Sequence, residues 1–131
     1  MKRIPFVLIV LLTSASLYAQ TLTSGGKLKP EQAIMDVRHY TISLAVDPTQ
    51  KTINGFTTID VIMAKPTKVL LFDLLDSLSI RKVLVNGKQE PFEYKNNLIT
   101  INTAKELPAG KASVKVIYGG KPHVAPSPPM G

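Results

Sequence analysis

The strongest constraint on the fold is the alternation of apolar and polar side chains in the segment HYTISLAVDP, residues 39–48. A repeat of two residues is typical of a β-strand with one buried face. The apolar side of this segment consists of Tyr40, Ile42, Leu44 and Val46. Asp47 and Pro48 end the strand, because proline fixes φ and has no N–H for a ladder. We therefore predict a half-buried strand, with Tyr40 in the core.

Further segments of the same kind follow, separated by turn residues. In KTINGFTTIDVIM, one apolar side is Ile53, Ile59, Val61 and Met63, and Gly55 marks a bulge or a close backbone approach. TKVLLFDLL fits a strand buried on both faces or a piece of buried helix, and its neighbours favour a strand. Asn86-Gly87 predicts a two-residue hairpin, and Lys95–Asn97 another turn. No helix is predicted after residue 19.

The fold class that follows is all-β, an antiparallel sandwich or curved saddle-like sheet of about seven strands. We assign residues 36–120 to this domain. With no cysteine in the chain, no disulfide can brace it and no thiolate zinc site or cysteine nucleophile is possible. The net charge of +7 is scattered singly along the chain, which argues against a nucleic-acid-binding protein.

The first residues predict export. Lys2 and Arg3 precede an apolar run from Ile4 to Leu12, followed by small and polar residues, which is the layout of a secretory signal peptide. We place the signal peptide at residues 1–19, with cleavage after Ala19, and a flexible or surface-laid leader at residues 20–35. A transmembrane anchor is the alternative, but the run is shorter than the ~20 apolar residues that span a bilayer. The expected location is periplasmic or extracellular, with no transmembrane segment in the mature chain.

The end of the chain has a different composition. Residues 121–131, KPHVAPSPPMG, are rich in proline, which is typical of a linker rather than a packed element. Because such linkers usually join domains, we expect this sequence to be a piece of a longer protein.

Residues of catalytic type do not form a recognisable set. His39 and His123 stand alone, and Asp36 is spaced from His39 by three residues, which suits a helix face rather than a strand. Glu90 and Glu93 flank a proline beside a hairpin and are interpreted as two solvated carboxylates. The sequence has no His-Glu-x-x-His, no Gly-x-Ser-x-Gly and no phosphate-binding loop. We therefore assign no catalytic, cofactor-binding or metal-binding residue.

The order of the segments resembles the N-terminal domain of the M1 family of zinc aminopeptidases, the aminopeptidase N-like group. That domain opens with an Asp-x-x-His-Tyr strand, here DVRHYTISLAVDP, and continues with an Ile-x-Gly strand, here KTINGFTTIDVIM. The likeness continues through VLLFDLLDSLSIRKVLVNGK, PFEY, NNLITI and LPAGKASVKVIYGG, so that it covers residues 36–120.

The resemblance implies a domain that lies in front of a zinc peptidase. Family members bind zinc through His-Glu-x-x-His and a distant Glu, and hold the substrate's amino terminus with Gly-x-Met-Glu-Asn, all in a later thermolysin-like domain. No residue of this chain matches these motifs, so zinc and peptide substrates are implied only for a full-length protein. Whether this chain takes part in an enzyme depends on that missing domain.

Two hypotheses remain open. In the first, the chain is the non-catalytic N-terminal domain of an exported M1-type aminopeptidase, packing against the catalytic domain after the linker and partly covering its cleft. In the second, it is a free-standing secreted β-sandwich that binds a protein or a glycan. The first predicts that residues 36–120 alone are marginally stable, because one side of the sheet expects a partner.

Overall fold

The computed structural model describes residues 27–124 and 126. The predicted signal peptide, the leader up to residue 26 and most of the linker after residue 124 lie outside this part of the chain. Within it the elements are α1 (Pro30–Ala33), β1 (Met35–Asp47), β2 (Thr52–Met63), β3 (Thr67–Asp73), β4 (Leu78–Val85), β5 (Lys88–Gln89), β6 (Phe92–Lys95), β7 (Leu98–Leu107) and β8 (Gly110–Gly120).

The strands form two antiparallel sheets. The larger has five strands in the order β1-β2-β8-β4-β5, and the smaller has three in the order β3-β7-β6. The predicted all-β antiparallel architecture is confirmed. The described residues hold eight strands rather than about seven, because the two-residue β5 counts as one. The chain changes sheet at Pro108-Ala109, since β7 and β8 belong to different sheets.

The core lies between the facing sides of the two sheets. The large sheet contributes the apolar sides of β2 and β8, on which Val61 and Val114 are 2% and 0% exposed. The small sheet contributes Leu70 from β3 and Ile101 from β7, both 0% exposed. Complete burial of such a side chain contributes about 1.5–3 kcal/mol, so this layer supplies the main stabilisation of the fold.

The predicted turns are present. Asn86 and Gly87 have φ values of 49° and 81°, as a two-residue hairpin between β4 and β5 requires. The Asn86 Oδ1 also accepts the N–H of Ser113 at 2.9 Å, which ties this hairpin to β8. Asn96 and Asn97, at 52° and 60°, make the turn from β6 to β7. These turns explain why the strand boundaries could be predicted from the sequence.

The end of the leader is laid against the domain. Residues 30–33 form one helical turn, which the sequence did not predict, and Gln32 Nε2 donates to Asp73 Oδ2 at 3.1 Å. The N–H of Ala64 donates to the carbonyl of Ile34 at 2.7 Å. These two contacts hold Gln32 and Ile34 against the surface of the β-domain. The structured region from residue 27 to 124 has no helix long and apolar enough to cross a bilayer.

Candidate functional surface

The most unusual surface of the described chain is an exposed apolar row on β1, which we call the β1 stripe. Its members point to one side of the sheet, and their exposed fractions are 55% for Tyr40, 62% for Ile42, 38% for Leu44 and 66% for Val46. The predicted alternation is therefore present, but the predicted burial is wrong. Tyr40 does not lie in the core.

The stripe is exposed because the small sheet is narrower than the large one. Tyr40 lies opposite Ile59 of β2 in the antiparallel register. Ile59 is only 5% exposed, whereas Tyr40 is more than half exposed. The cover provided by β3, β7 and β6 therefore ends between β2 and β1, and β1 extends beyond it as the edge of the large sheet.

A β-bulge determines which side chains join the stripe. The β1–β2 register shifts between Val37 and His39, so β1 has one extra residue there. A one-residue shift moves all later side chains to the opposite face. The bulge thus keeps Val37 and Tyr40 on the same face despite their odd spacing. In a regular strand, residues on one face are an even number of positions apart. The odd spacing of the apolar residues Val37 and Tyr40 is therefore the sequence signal that could have revealed the bulge.

Gly55 allows β1 to approach β2 closely. A Cβ atom built on Gly55 would lie 1.9 Å from the carbonyl oxygen of Ser43 and 3.0 Å from the Cα of Leu44. Both are backbone atoms, which no rotamer change can move. The close approach predicted for Gly55 is confirmed, and it fixes the strand that carries the stripe.

The hydroxyl groups on the inner face next to the stripe are paired. Thr57 of β2 and Tyr118 of β8 share a hydrogen bond of 2.8 Å between Oγ1 and Oη. Tyr118 is 8% exposed. Because these polar groups satisfy each other, the face beside the stripe behaves as an apolar surface rather than a polar pocket.

The residues of catalytic type near the start of β1 are exposed and are not gathered into one cluster. Asp36 and Arg38 make an exposed salt bridge of 3.0 Å between Oδ2 and Nε. His39 is exposed and lies on the face opposite to Tyr40. It is opposite Asp60, whereas His123 follows Gly120, which pairs with Ile53 at the far end of β2. The two histidines are therefore not brought together, and residues 27–124 contain no cluster of three or more His, Cys, Asp or Glu.

Glu90 differs from the prediction. It is 8% exposed, its Oε2 accepts the N–H of Ala104 at 3.0 Å, and its Oε1 lies 3.9 Å from Lys88 Nζ. Glu93, by contrast, has a side chain that is 66% exposed. The interpretation as two solvated carboxylates is correct for Glu93 and wrong for Glu90, because the chain after β5 folds over β7. Glu90 is a structural group that satisfies a backbone N–H.

The outer face of the large sheet is mixed in character. Lys115 Nζ lies 3.8 Å from the ring centre of Phe56. Nearby, an open hollow of about 400 Å³ is bordered by Arg38, Asp60 and Lys111. These charged groups are exposed or half-buried and have opposite signs. The hollow therefore has no focused charge that would select a ligand.

Comparison with known proteins gives a structural likeness without a sequence match. No family model matches the chain, and no curated protein matches it. Among solved structures, the M1 zinc metallopeptidase from Deinococcus radiodurans, in its complex with a Tyr-Ser-Ala substrate, is similar with a TM-score of 0.63 and 23% identity. The match covers 76% of this chain and 24% of that one.

Yeast leukotriene A4 hydrolase is also similar, with a TM-score of 0.58 and 18% identity over 68% of this chain and 15% of its own. This chain thus spans about a quarter or less of the solved chains that it matches. One Deinococcus structure is described as a two-domain M1 zinc metallopeptidase. At these identities the likeness concerns the fold, and it coincides with the resemblance predicted from the order of the strands. The chain has the fold of the N-terminal domain of the M1 zinc metallopeptidases.

Proposed function

We propose that this chain is the non-catalytic N-terminal domain of an exported M1-type zinc aminopeptidase. The observation that carries the proposal is the fold likeness over 76% of this chain to a zinc metallopeptidase of which it covers 24%. In this proposal the catalytic domain follows the proline-rich segment, holds the zinc ion and hydrolyses peptides from the amino end. The described residues contribute packing rather than chemistry.

The β1 stripe supports a packing role. Its four side chains are apolar, contiguous and on one face, and each is 38–66% exposed. Burying the exposed part of each would contribute on the order of 1 kcal/mol, or about 4 kcal/mol for the stripe. That amount is a substantial fraction of the 5–15 kcal/mol that stabilises a typical domain. We propose that the catalytic domain covers the stripe, and that the β-domain thereby borders its cleft.

The proposal of export rests on the first twenty residues, whose basic start and apolar run are typical of a signal peptide. It places the enzyme in the periplasm or outside the cell. Its peptide substrates would then be extracellular or periplasmic.

The reading frame beyond the codon for Gly131 gives the first test. We expect an in-frame His-Glu-x-x-His within the next few hundred codons, because the helical zinc site requires that spacing. A stop codon before any such motif would remove the basis of the proposal.

The packing role is tested in the product of that longer reading frame. Ile42→Lys places a charge in the middle of the stripe, whereas Thr41→Lys places the same charge on the opposite face of β1. We expect Ile42→Lys to separate the unfolding of the β-domain from that of the catalytic domain in calorimetry. Thr41→Lys should leave the transition as in the wild type.

If both lysine variants unfold like the wild type, the stripe does not contact the catalytic domain. A binding role for a separate protein would then be favoured over packing. A glycan platform is less suited to the stripe, since Tyr40 is its single aromatic member.

A further inference from the structure

The edge of β1 is a second feature of this strand, distinct from the stripe on its face. In the described chain, the other three sheet edges are short or packed against another element. β5 has two residues, β6 has four, and β3 has α1 against it. β5 pairs only with Leu84 and Val85, and the part of β4 that it leaves open carries the charged Arg81 and Lys82, which protect an edge. β1 has thirteen residues. Long free edges present unpaired N–H and C=O groups to other strands.

Between its bulge and its final turn, β1 has no device that would prevent edge pairing. Residues 39–47 pair without interruption with residues 60–52 of β2. This segment contains no proline, lysine or arginine, which are the residues that commonly protect sheet edges. Pro48 and the bulge at Arg38 limit the segment at its two ends. The regular edge is thus nine residues long, with Ser43 at its midpoint.

We propose that two copies of this chain pair through their β1 edges, antiparallel and about a two-fold axis at Ser43. This register is the only one that pairs all nine residues and keeps the apolar side chains on one face. A shift by two residues in either direction shortens the pairing to seven residues. The result is a continuous ten-stranded sheet across the dimer.

The side chains are complementary in this register. On the stripe face, Tyr40 lies opposite the partner's Val46, and Ile42 lies opposite the partner's Leu44. Apolar cross-strand pairs of this kind stabilise sheets. On the other face, His39 lies opposite the partner's Asp47 at each end of the paired segment. Within each chain the Asp47 Oδ1 accepts the N–H groups of Thr49 and Gln50, which holds its carboxylate in place.

The interface is small. Two nine-residue strands bury less than the ~1,200–2,000 Å² of a standard interface, so the dimer should dissociate on dilution through the micromolar range. Pairing uses the backbone groups along the edge of β1 and leaves the side chains of the β1 stripe free to contact another domain. The inference therefore does not depend on the proposed catalytic domain, and its test needs no enzymatic activity.

Single-cysteine cross-linking tests the register in the full chain, which has no cysteine of its own. Directly opposite residues have Cα atoms about 4.5–5.5 Å apart, within the range that a disulfide bridges. Ser43→Cys should form a disulfide-linked dimer on mild oxidation. Thr41→Cys alone should not, because the two copies of Thr41 lie four residues out of register. Mixed with Ala45→Cys, it should cross-link efficiently.

Charge variants at the axis give an independent measure of association. Ser43→Lys and Ser43→Glu each place like charges opposite one another, and we expect each to weaken the dimer by roughly two- to fivefold in sedimentation equilibrium. An equimolar mixture of the two should recover the dimer. Because Ser43 is exposed, both variants should retain the wild-type thermal unfolding.

A wild-type chain that stays monomeric up to several hundred micromolar would overturn the inference. A dimer insensitive to Ser43→Lys, or cross-linked equally well by Thr41→Cys alone, would also overturn it, because association would then use another surface or register.

Discussion

Replacing Gly55 with alanine should loosen the attachment of β1 to β2. The added Cβ would lie 1.9 Å from the carbonyl oxygen of Ser43, whereas ordinary contact begins at 3.4 Å. β1 would therefore have to retreat by roughly 1.5 Å at this position. The obstacle is backbone, so side-chain rotation cannot relieve it.

The magnitude follows from three terms. Overpacking of this kind costs about 1–3 kcal/mol. Weakening two neighbouring ladder hydrogen bonds costs about 0.5–1.5 kcal/mol each. The lower entropy of alanine in the unfolded chain returns about 0.5–1 kcal/mol. The expected net loss is about 1–5 kcal/mol, centred at about 3 kcal/mol, and at about 4–8 °C per kcal/mol for a domain of this size the central value lowers the Tm by about 12–24 °C.

Urea and thermal unfolding of the full chain measure this loss. Ser43→Ala is the matched control, because it changes the exposed side chain of the residue whose carbonyl is approached and leaves that carbonyl in place. It should change stability by no more than about 0.5 kcal/mol. A Gly55→Ala variant as stable as the wild type, or more stable, would refute the close approach.

Two further predictions concern polar groups. Glu90→Ala should cost about 1–3 kcal/mol in urea unfolding, because the N–H of Ala104 loses its acceptor, whereas Glu93→Ala should stay within about 0.5 kcal/mol; equal effects would contradict the structural role of Glu90. Burial, and secondarily the charge of Asp76, raises the pKa of Tyr94 above its ordinary value of 10.0. The unfolded chain then loses this proton first, so stability is retained below pH 10 and falls as the pH rises through the folded-state pKa. Because the Tyr94 hydroxyl donates to the carbonyls of Leu74 and Leu75, Tyr94→Phe should be less stable than the wild type at pH 7, and the difference should shrink above pH 10; a constant difference would contradict the raised pKa of Tyr94.

The strands and hairpins of this fold could be predicted because their signals are local. Alternation identified the inner faces of β2 and β8, and Asn86-Gly87 identified the hairpin after β4 through its positive φ values. Pro108 and Ala109 form a turn of the kind that local sequence signals, but those signals do not say which strands the turn connects. This turn connects two sheets, because β7 and β8 pair with different strands, and that long-range pairing cannot be predicted from the local sequence.

The features that the sequence did not reveal depend on whether a strand of the other sheet packs over a given residue. Alternation showed that one side of β1 is apolar, but the width of the small sheet determines whether that side is buried. Tyr40 was therefore assigned to the core, although it is 55% exposed. Glu90 was assigned to the surface for the converse reason, since its burial results from contact with β7, fourteen residues further along the chain. In both cases the residue type predicted whether the side chain is apolar or charged, but not which elements of the fold lie against it.

We propose that this fold serves a zinc aminopeptidase whose catalytic domain follows it. The most direct measurement is the zinc content and peptide hydrolysis of the product of the complete reading frame, exported and purified from a host that can remove the proposed signal peptide. We predict one zinc ion per chain, with release of the first residue from a peptide with a free amino terminus and no release after that terminus is acetylated. A zinc-free product that leaves both peptides intact would contradict the account.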